Sequence, residues 1–227
     1  DNRHMRRLIK KIEPTATSRT RRGVAEYRIP FNQPITHQQN GASMKKQYID
    51  TEVNMGFTPN DALIMVRMEG LMPAMSSLVE ATYRPGKVSM ELKRLVALVS
   101  SSAAGCQYCT AHNAHGADLA GVDAAKLAAV WDFRTSPLFT EAERAALEVA
   151  ASSAQTPNAV TDEEFDELKR HYSDEEALEI VAVLCLFAFL NRWNHTLATE
   201  LELSPLQFAE QHLSDHGWSA GVHAAGA

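Results

Sequence analysis

The segment Cys106-Gln107-Tyr108-Cys109-Thr110-Ala111-His112 places two thiols and an imidazole at helical spacing. Gly105 is well placed to end a preceding helix, so a new helix begins near Cys106 and Cys109 falls in its first turn. Unpaired backbone N–H groups and the positive end of the helix dipole stabilise a thiolate at such a position. The spacing predicts a Cys109 of lowered pKa, a Cys106 able to form a disulfide with it, and His112 as proton acceptor.

A zinc site is the first alternative interpretation of this segment, because Cys106, Cys109, His112 and His115 all have ligand chemistry. Successive steps of three residues drift by roughly 180° over nine residues, so one straight helix cannot turn all four toward one ion. No second Cys-x-x-Cys is present to supply paired ligands. We therefore predict no metal and no bound cofactor. Packing of both cysteines as small buried hydrophobes remains a second alternative.

The remaining thiol and several histidines are assigned no chemistry. Cys185 lies within the apolar run VAVLCLFAFL, which predicts a buried packing residue. Five histidines stand outside any recognisable constellation: His171, His195, His212, His216 and His223. A lone histidine more often bonds a backbone carbonyl than acts in catalysis.

Composition narrows the class of protein and its partners. The 227 residues are 45% hydrophobic and 22% charged, values typical of a globular protein. Residues 1–28 hold nine Lys or Arg against three acidic residues, which leaves 13 basic and 25 acidic residues in the remainder. That acidic remainder argues against nucleic acid as a partner. The longest apolar run is about half a bilayer span, and three cysteines do not suit a secreted disulfide framework, so we expect a cytoplasmic protein without a membrane segment.

The elements that position the thiols are predicted to be helices. Residues 1–57 show no sustained period and contain scattered Pro and Gly, which predicts an irregular N-terminal arm. Residues 58–227 form an all-α domain of about eight helices in this interpretation. Three capping boxes mark helix starts in the C-terminal half: Thr140 with Glu143, Thr161 with Glu164, and Ser173 with Glu176.

The stretch ELKRLVALVSSSAAGCQYCTAHNAHGADLAG resembles the alkylhydroperoxidase D-like branch of the carboxymuconolactone decarboxylase superfamily. The resemblance extends with lower specificity over about Pro59 to Glu200, through SPLFTEAERAALEVA and LNRWNHTLATELE. It implies an all-α helical bundle that assembles as a homo-oligomer, a trimer or a hexamer. It also implies that Cys109 is the peroxidatic thiol and that Cys106 resolves it.

Two positions depart from the family pattern. The proton-relay glutamate of the family corresponds to Arg94, and its relay histidine corresponds to Asn113, with His112 one step earlier. Glu91 and Arg94 are therefore the candidates for relay or for thiolate stabilisation. Pairing of Glu91 with Arg94 at i, i+3 is the favoured interpretation.

The sequence predicts a thiol-dependent peroxidase that reduces a small hydroperoxide through Cys109, Cys106 and His112. By the resemblance, an external dithiol of lipoyl or thioredoxin type would reduce the disulfide. One alternative is a redox-sensing or protein-binding module in which the same disulfide forms without turnover. Another is a decarboxylase-like enzyme with His112 and Glu91 as acid and base. The arm is expected to lie across a neighbouring subunit, with its basic residues against acidic surface.

Overall fold

A computed structural model describes residues 17–21, 24–28 and 57–225 of the chain. In the arm, strand β1 (Thr17–Arg21) pairs antiparallel with strand β2 (Val24–Arg28), with Thr17 opposite Arg28. The arm has no sustained hydrophobic period that would predict these strands. Both segments nevertheless contain β-branched or aromatic residues, and the two residues between them are a length typical of a hairpin turn. The expected placement of the arm across a subunit lies largely outside the described residues and stays a prediction.

The prediction of an all-α domain is confirmed, because residues 57–225 form helices joined by short turns. The nine α-helices of the described part are α1 (Asn60–Met65), α2 (Leu71–Tyr83), α3 (Met90–Ala103), α4 (Gln107–Leu119), α5 (Ala124–Ala128), α6 (Glu141–Ser153), α7 (Asp162–His171), α8 (Asp174–Leu197) and α9 (Leu203–His212). Three 3₁₀ turns complete them at Val130–Asp132, Ser214–His216 and Gly221–His223.

The three predicted capping boxes are present at the starts of α6, α7 and α8. In each one the N-cap hydroxyl of Thr140, Thr161 or Ser173 accepts the N–H of the glutamate three residues on. The glutamate carboxylate in turn accepts the N–H of the N-cap residue. These bonds satisfy backbone donors that the first helical turn leaves unpaired.

Helix α3 is the centre of the domain and packs against α4, α6 and α8. Its positions 95–101 are all buried, and small residues lie opposite on α4, including Ala111, Ala114 and Ala117. Small side chains let two helix axes approach closely. The helix that follows the Gly105 turn is therefore held firmly against the core.

Helix α8 corrects one sequence prediction, because Cys185 is exposed rather than buried. The 24-residue helix presents Ile180, Val183 and Leu184 to the core. Leu178 and Phe189 lie with Cys185 on an outer face and are 69% and 40% exposed. An apolar run longer than two turns covers the whole circumference of a helix, so apolar composition alone does not show which positions are buried. None of the helices among the described residues has the length and apolar character to cross a bilayer.

Candidate active site

Helix α4 begins where the sequence predicts, because the backbone reverses at Gly105 with φ of 74°. A side chain is strained in this left-handed region, so glycine suits the turn. Cys106 is the N-cap residue, and its Sγ accepts the backbone N–H of Cys109 at 3.5 Å. The two thiols therefore lie together in the first turn of α4, as expected, and both are free and buried.

The protonation order of the two thiols is the reverse of the prediction for Cys109. The Cys109 thiol donates a hydrogen bond to Cys106, and this bond is the largest cause that lowers the pKa of Cys106 to about 5. Burial opposes the lowering, whereas His223 and the Cys109 N–H add to it. Burial, and then the neighbouring Cys106, raises the pKa of Cys109 well above its ordinary value. The N-cap thiol accepts hydrogen bonds, whereas the thiol at the third helical position donates one. The expectation of a lowered pKa at Cys109 is therefore wrong.

Two polar residues from distant helices surround Cys109. The Nδ2 of Asn194, on α8, lies 3.5 Å from Cys109 Sγ and 3.2 Å from an Oδ2 oxygen of Asp61 on α1. Burial raises the pKa of Asp61, against the lowering effects of His112 and of the Asn194 hydrogen bond. Asp61 is thus a buried carboxyl group with a raised pKa, close to the thiols.

His112 forms an acid–base pair with a residue that the sequence pattern does not indicate. Its Nε2 lies 2.6 Å from Oε2 of Glu202, the residue just before α9. Oε1 of Glu202 accepts the Tyr108 hydroxyl at 2.8 Å and the backbone N–H of Asn60. Burial raises the pKa of Glu202, but His112 and these two donors outweigh it and hold the pKa below its usual range. The Tyr108 ring stacks on the imidazole of His112, with centroids 4.3 Å apart.

The relay candidates Glu91 and Arg94 are placed differently from the favoured prediction. Glu91 is exposed on the first turn of α3, and no Glu91–Arg94 ion pair forms among the described residues. The Arg94 guanidinium lies over the Tyr83 ring, 4.4 Å from its centroid, and against Gly116 of α4. Arg94 therefore packs along the thiol-bearing helix, whereas Glu91 lies outside the cluster that surrounds the thiols.

Two further histidines have definite places. His115 packs between the aromatic rings of Phe57 and Phe208, with centroids 6.5 and 5.3 Å away, so it is turned away from the thiols. His223, to which the sequence assigns no chemistry, is fully buried, and its imidazole is one of the groups that lower the pKa of Cys106. Residues 57–225 contain no cluster of three or more potential ligands arranged for a metal ion.

Four residues of this site carry no local sequence signal for their role: Asp61, Asn194, Glu202 and His223. They come from α1, from α8, from the loop before α9 and from the C-terminal 3₁₀ turn. Asn194 and Glu202 fall within LNRWNHTLATELE, a stretch over which the family resemblance extends.

Comparison with known proteins agrees with this architecture. Residues 69–152 match the model of the carboxymuconolactone decarboxylase family. A segment of 72 residues is 38% identical to the uncharacterized protein YnjA of Escherichia coli, and it spans 40% of that relative's length.

Solved structures extend the likeness over most of the chain. The debrominase Bmp8 is 36% identical, with a TM-score of 0.72, over 77% of this chain and 94% of its own. A cysteine-to-alanine variant of Bmp8 in complex with 2,3,4-tribromopyrrole matches at 35% identity over the same shares of the two chains, again with a TM-score of 0.72. A peroxidase-related protein with an alkylhydroperoxidase core from Ralstonia eutropha is 18% identical, with a TM-score of 0.68, over 79% of this chain and 96% of its own, and shows the fold alone. The chain belongs to the carboxymuconolactone decarboxylase family, with the alkylhydroperoxidase D-like fold.

Proposed function

We propose that this protein is a dithiol-dependent reductase whose substrate is a small hydroperoxide. The observation that carries the proposal is the adjacent thiol pair at the start of α4, in which Cys106 accepts the N–H of Cys109 at 3.5 Å. A thiolate beside a protonated thiol is the arrangement that two-electron reduction of an electrophile requires, because one sulfur attacks and the other closes the disulfide.

The nucleophile in this proposal is Cys106, so the roles that the family resemblance implies are exchanged. The pKa of about 5 leaves Cys106 as a thiolate at neutral pH, whereas the raised pKa of Cys109 keeps its proton. A higher pKa increases the intrinsic nucleophilicity of a thiolate only partly, so it does not offset the smaller thiolate population that the raised pKa of Cys109 leaves. Cys109 then acts as the resolving thiol.

The proposed catalytic cycle has three steps. The Cys106 thiolate attacks the O–O bond, which forms a sulfenic acid on Cys106 and releases an alcohol once the departing oxygen takes up a proton. The Cys109 thiol condenses with the sulfenic acid, forms the Cys106–Cys109 disulfide and releases water. An external dithiol of lipoyl or thioredoxin type then reduces the disulfide by exchange.

The acid–base pair supplies the proton. His112 lies one helical turn beyond Cys109, and its contact with Glu202 at 2.6 Å orients the ring. Tyr108 holds the same carboxylate from the other oxygen. Asn194 contacts Cys109 Sγ and is itself held by the buried carboxyl group of Asp61.

Reductive dehalogenation of a small aromatic ring is a second candidate, favoured by the 36% identity to a debrominase. The Cys106 thiolate would attack the halogen, and the ring carbon that loses the halogen would take a proton from the acid–base pair. The Cys109 thiol would then displace halide from the sulfenyl halide on Cys106 and form the same disulfide. The aromatic rings of Phe57 and Tyr108 that flank His112 suit a planar ring.

Steady-state turnover with dithiothreitol tests both candidates. We expect wild type to consume tert-butyl hydroperoxide, and Cys106→Ser and Cys109→Ser to fall to background while Cys185→Ser keeps full activity. Turnover of 2,3,4-tribromopyrrole without peroxide turnover would select the second candidate. Disulfide formation with no turnover of either compound would favour the redox-sensing module. Activity that survives replacement of both cysteines would favour the decarboxylase-like alternative.

A further inference from the structure

The C-terminal segment after α9 covers the start of the thiol-bearing helix. The indole Nε1 of Trp218 donates to the carbonyl of Gln107 at 3.3 Å, in the first turn of α4. The backbone N–H of Leu201 donates to the carbonyl of His223 at 3.0 Å, which ties the 3₁₀ turn Gly221–His223 to the loop before α9. This turn packs against α4. The end of α4 that begins at Cys106 is therefore covered by residues more than 110 positions later in the chain.

His223 is the residue of this segment that reaches the thiol. The side chain is 0% exposed, and its Nδ1 lies 2.7 Å from the carbonyl oxygen of Thr199. A carbonyl only accepts, so Nδ1 carries a proton and Nε2 carries the lone pair in the neutral ring. Within residues 57–225 the buried Nε2 has no hydrogen-bond partner, and the imidazole is one of the groups that lower the pKa of the Cys106 thiol.

We propose that His223 is the proton acceptor for Cys106, and that the two residues form a buried thiolate–imidazolium pair. The Cys106 S–H proton passes to Nε2, the S–H bond breaks with its electrons retained on sulfur, and Nδ1–H stays bonded to the Thr199 carbonyl. That carbonyl stabilises the positive ring, as a carboxylate or carbonyl does for other catalytic histidines. A buried polar atom without a partner is costly, and this pairing supplies the missing partner for Nε2.

The surroundings of the pair contain few other charges. The titratable groups facing it are Cys109 and Tyr108 of α4 and the His195 ring of α8, which lies 5.8 Å from the His223 ring. Two acidic residues lie beyond Tyr108, because its hydroxyl accepts the backbone N–H of Asp61 and donates to the carboxylate of Glu202. Among these groups, His223 is the one that combines an Nδ1 held by a carbonyl with a buried Nε2 that has no hydrogen-bond partner.

The catalytic consequence rests on the proposed function, but the thiolate itself does not. His223→Asn is the sharpest variant, because an asparagine amide can still donate to the Thr199 carbonyl in place of Nδ1 and has no counterpart of Nε2. We expect the pH midpoint for the rise of Cys106 thiolate absorbance to move upward by at least about one unit, which is roughly a tenfold loss of thiolate at mildly acidic pH. His195→Asn is the matched control and should leave the midpoint unchanged.

Both variants are made in the Cys185→Ser background, and thermal unfolding checks that they fold. His223→Gln, whose amide reaches the Nε2 position but does not accept a proton, is the second variant and should also raise the midpoint. An unchanged midpoint in either folded His223 variant, or an equal rise in His195→Asn, would overturn the proposal. The titration needs no substrate, so a protein that turns over neither compound but shows the shift would refute the proposed function and leave the Cys106–His223 pair standing.

Discussion

Cys106 and Cys109 show how two identical side chains three residues apart acquire opposite properties. The N-cap thiol receives hydrogen bonds from the Cys109 thiol and N–H, while the Cys109 thiol gives up its proton only against burial and a neighbouring negative sulfur. Such a pair shares one proton between two sites, and the hydrogen bond from the Cys109 N–H favours the negative charge on Cys106. The single negative charge is therefore localised at the helix terminus, where the dipole favours it.

This asymmetry predicts the effect of removing Cys109. In Cys109→Ala the largest contribution that lowers the pKa of Cys106 is lost, so we expect its thiolate to form only at higher pH than about 5. Mass-mapped alkylation across pH measures the midpoint for each cysteine, and Cys185→Ala is the control that should leave it in place. Alkylation of Cys109 before Cys106 in the wild type would contradict the assignment and restore the roles that the family resemblance implies.

Glu202 predicts a second effect on a single side chain. In Glu202→Gln the carboxylate that orients the His112 ring is removed, so turnover should fall by roughly 10- to 100-fold. Glu200→Gln is the matched control, because Glu200 is exposed and offers Asn60 its backbone carbonyl rather than its carboxylate. Equal activity of the two variants would remove the His112–Glu202 pair from the mechanism.

At the level of elements, the helices that position the thiol helix are joined by an ion pair between a buried lysine and a half-buried glutamate. Lys93 of α3 lies 3.0 Å from Oε2 of Glu179 on α8, with its side chain 3% exposed. Its Nζ also donates to the carbonyls of Thr82 and Arg84 at the end of α2, at 2.9 and 3.3 Å. One ammonium thus joins three helices, and all of its hydrogen-bonding capacity is used.

Lys93→Met should therefore lower the free energy of unfolding by about 3 kcal/mol, because it removes the ammonium from two carbonyls and from the Glu179 carboxylate, which keeps only the backbone N–H groups of Lys87 and Val88. The matched control is Lys87→Met, which removes a pair with Glu175 whose side chains are 60% and 68% exposed. Such exposed pairs contribute at most about 1 kcal/mol. Chemical denaturation measures the free energy of unfolding of both variants. Equal decreases would show that the Lys93–Glu179 pair adds no more stability than a surface pair.

At the level of the whole molecule, charge is divided between the arm and the domain. Residues 1–28 carry nine basic and three acidic residues, and the remaining chain carries 13 basic and 25 acidic residues. The outer face of α8 is apolar in the described part of the chain, with Leu178 69% exposed. Opposite charges and uncovered apolar surface both favour association of subunits.

We therefore predict that deletion of residues 1–50 lowers the mass of the homo-oligomer or its thermal stability. The loss should shrink at raised salt, because screening already weakens contacts between the basic arm and acidic surface. Light scattering at two salt concentrations measures the mass, and the full-length chain under the same conditions is the control. A mass that the deletion leaves unchanged at both concentrations would confine the arm to its own subunit.

Local patterns in the sequence determined the helical domain, the turn at Gly105, the caps at Thr140, Thr161 and Ser173, and the thiol pair. Each depends on bonds between residues three or four positions apart, which spacing alone reveals. Tertiary structure decided the protonation order of the thiols, the burial of His223 and the exposure of Cys185. Cys109 meets Asn194 across 85 residues and His112 meets Glu202 across 90, and no local period encodes such pairings. A pKa depends on burial and on the partners that packing brings together, so the chemistry of these residues follows from the packed helices.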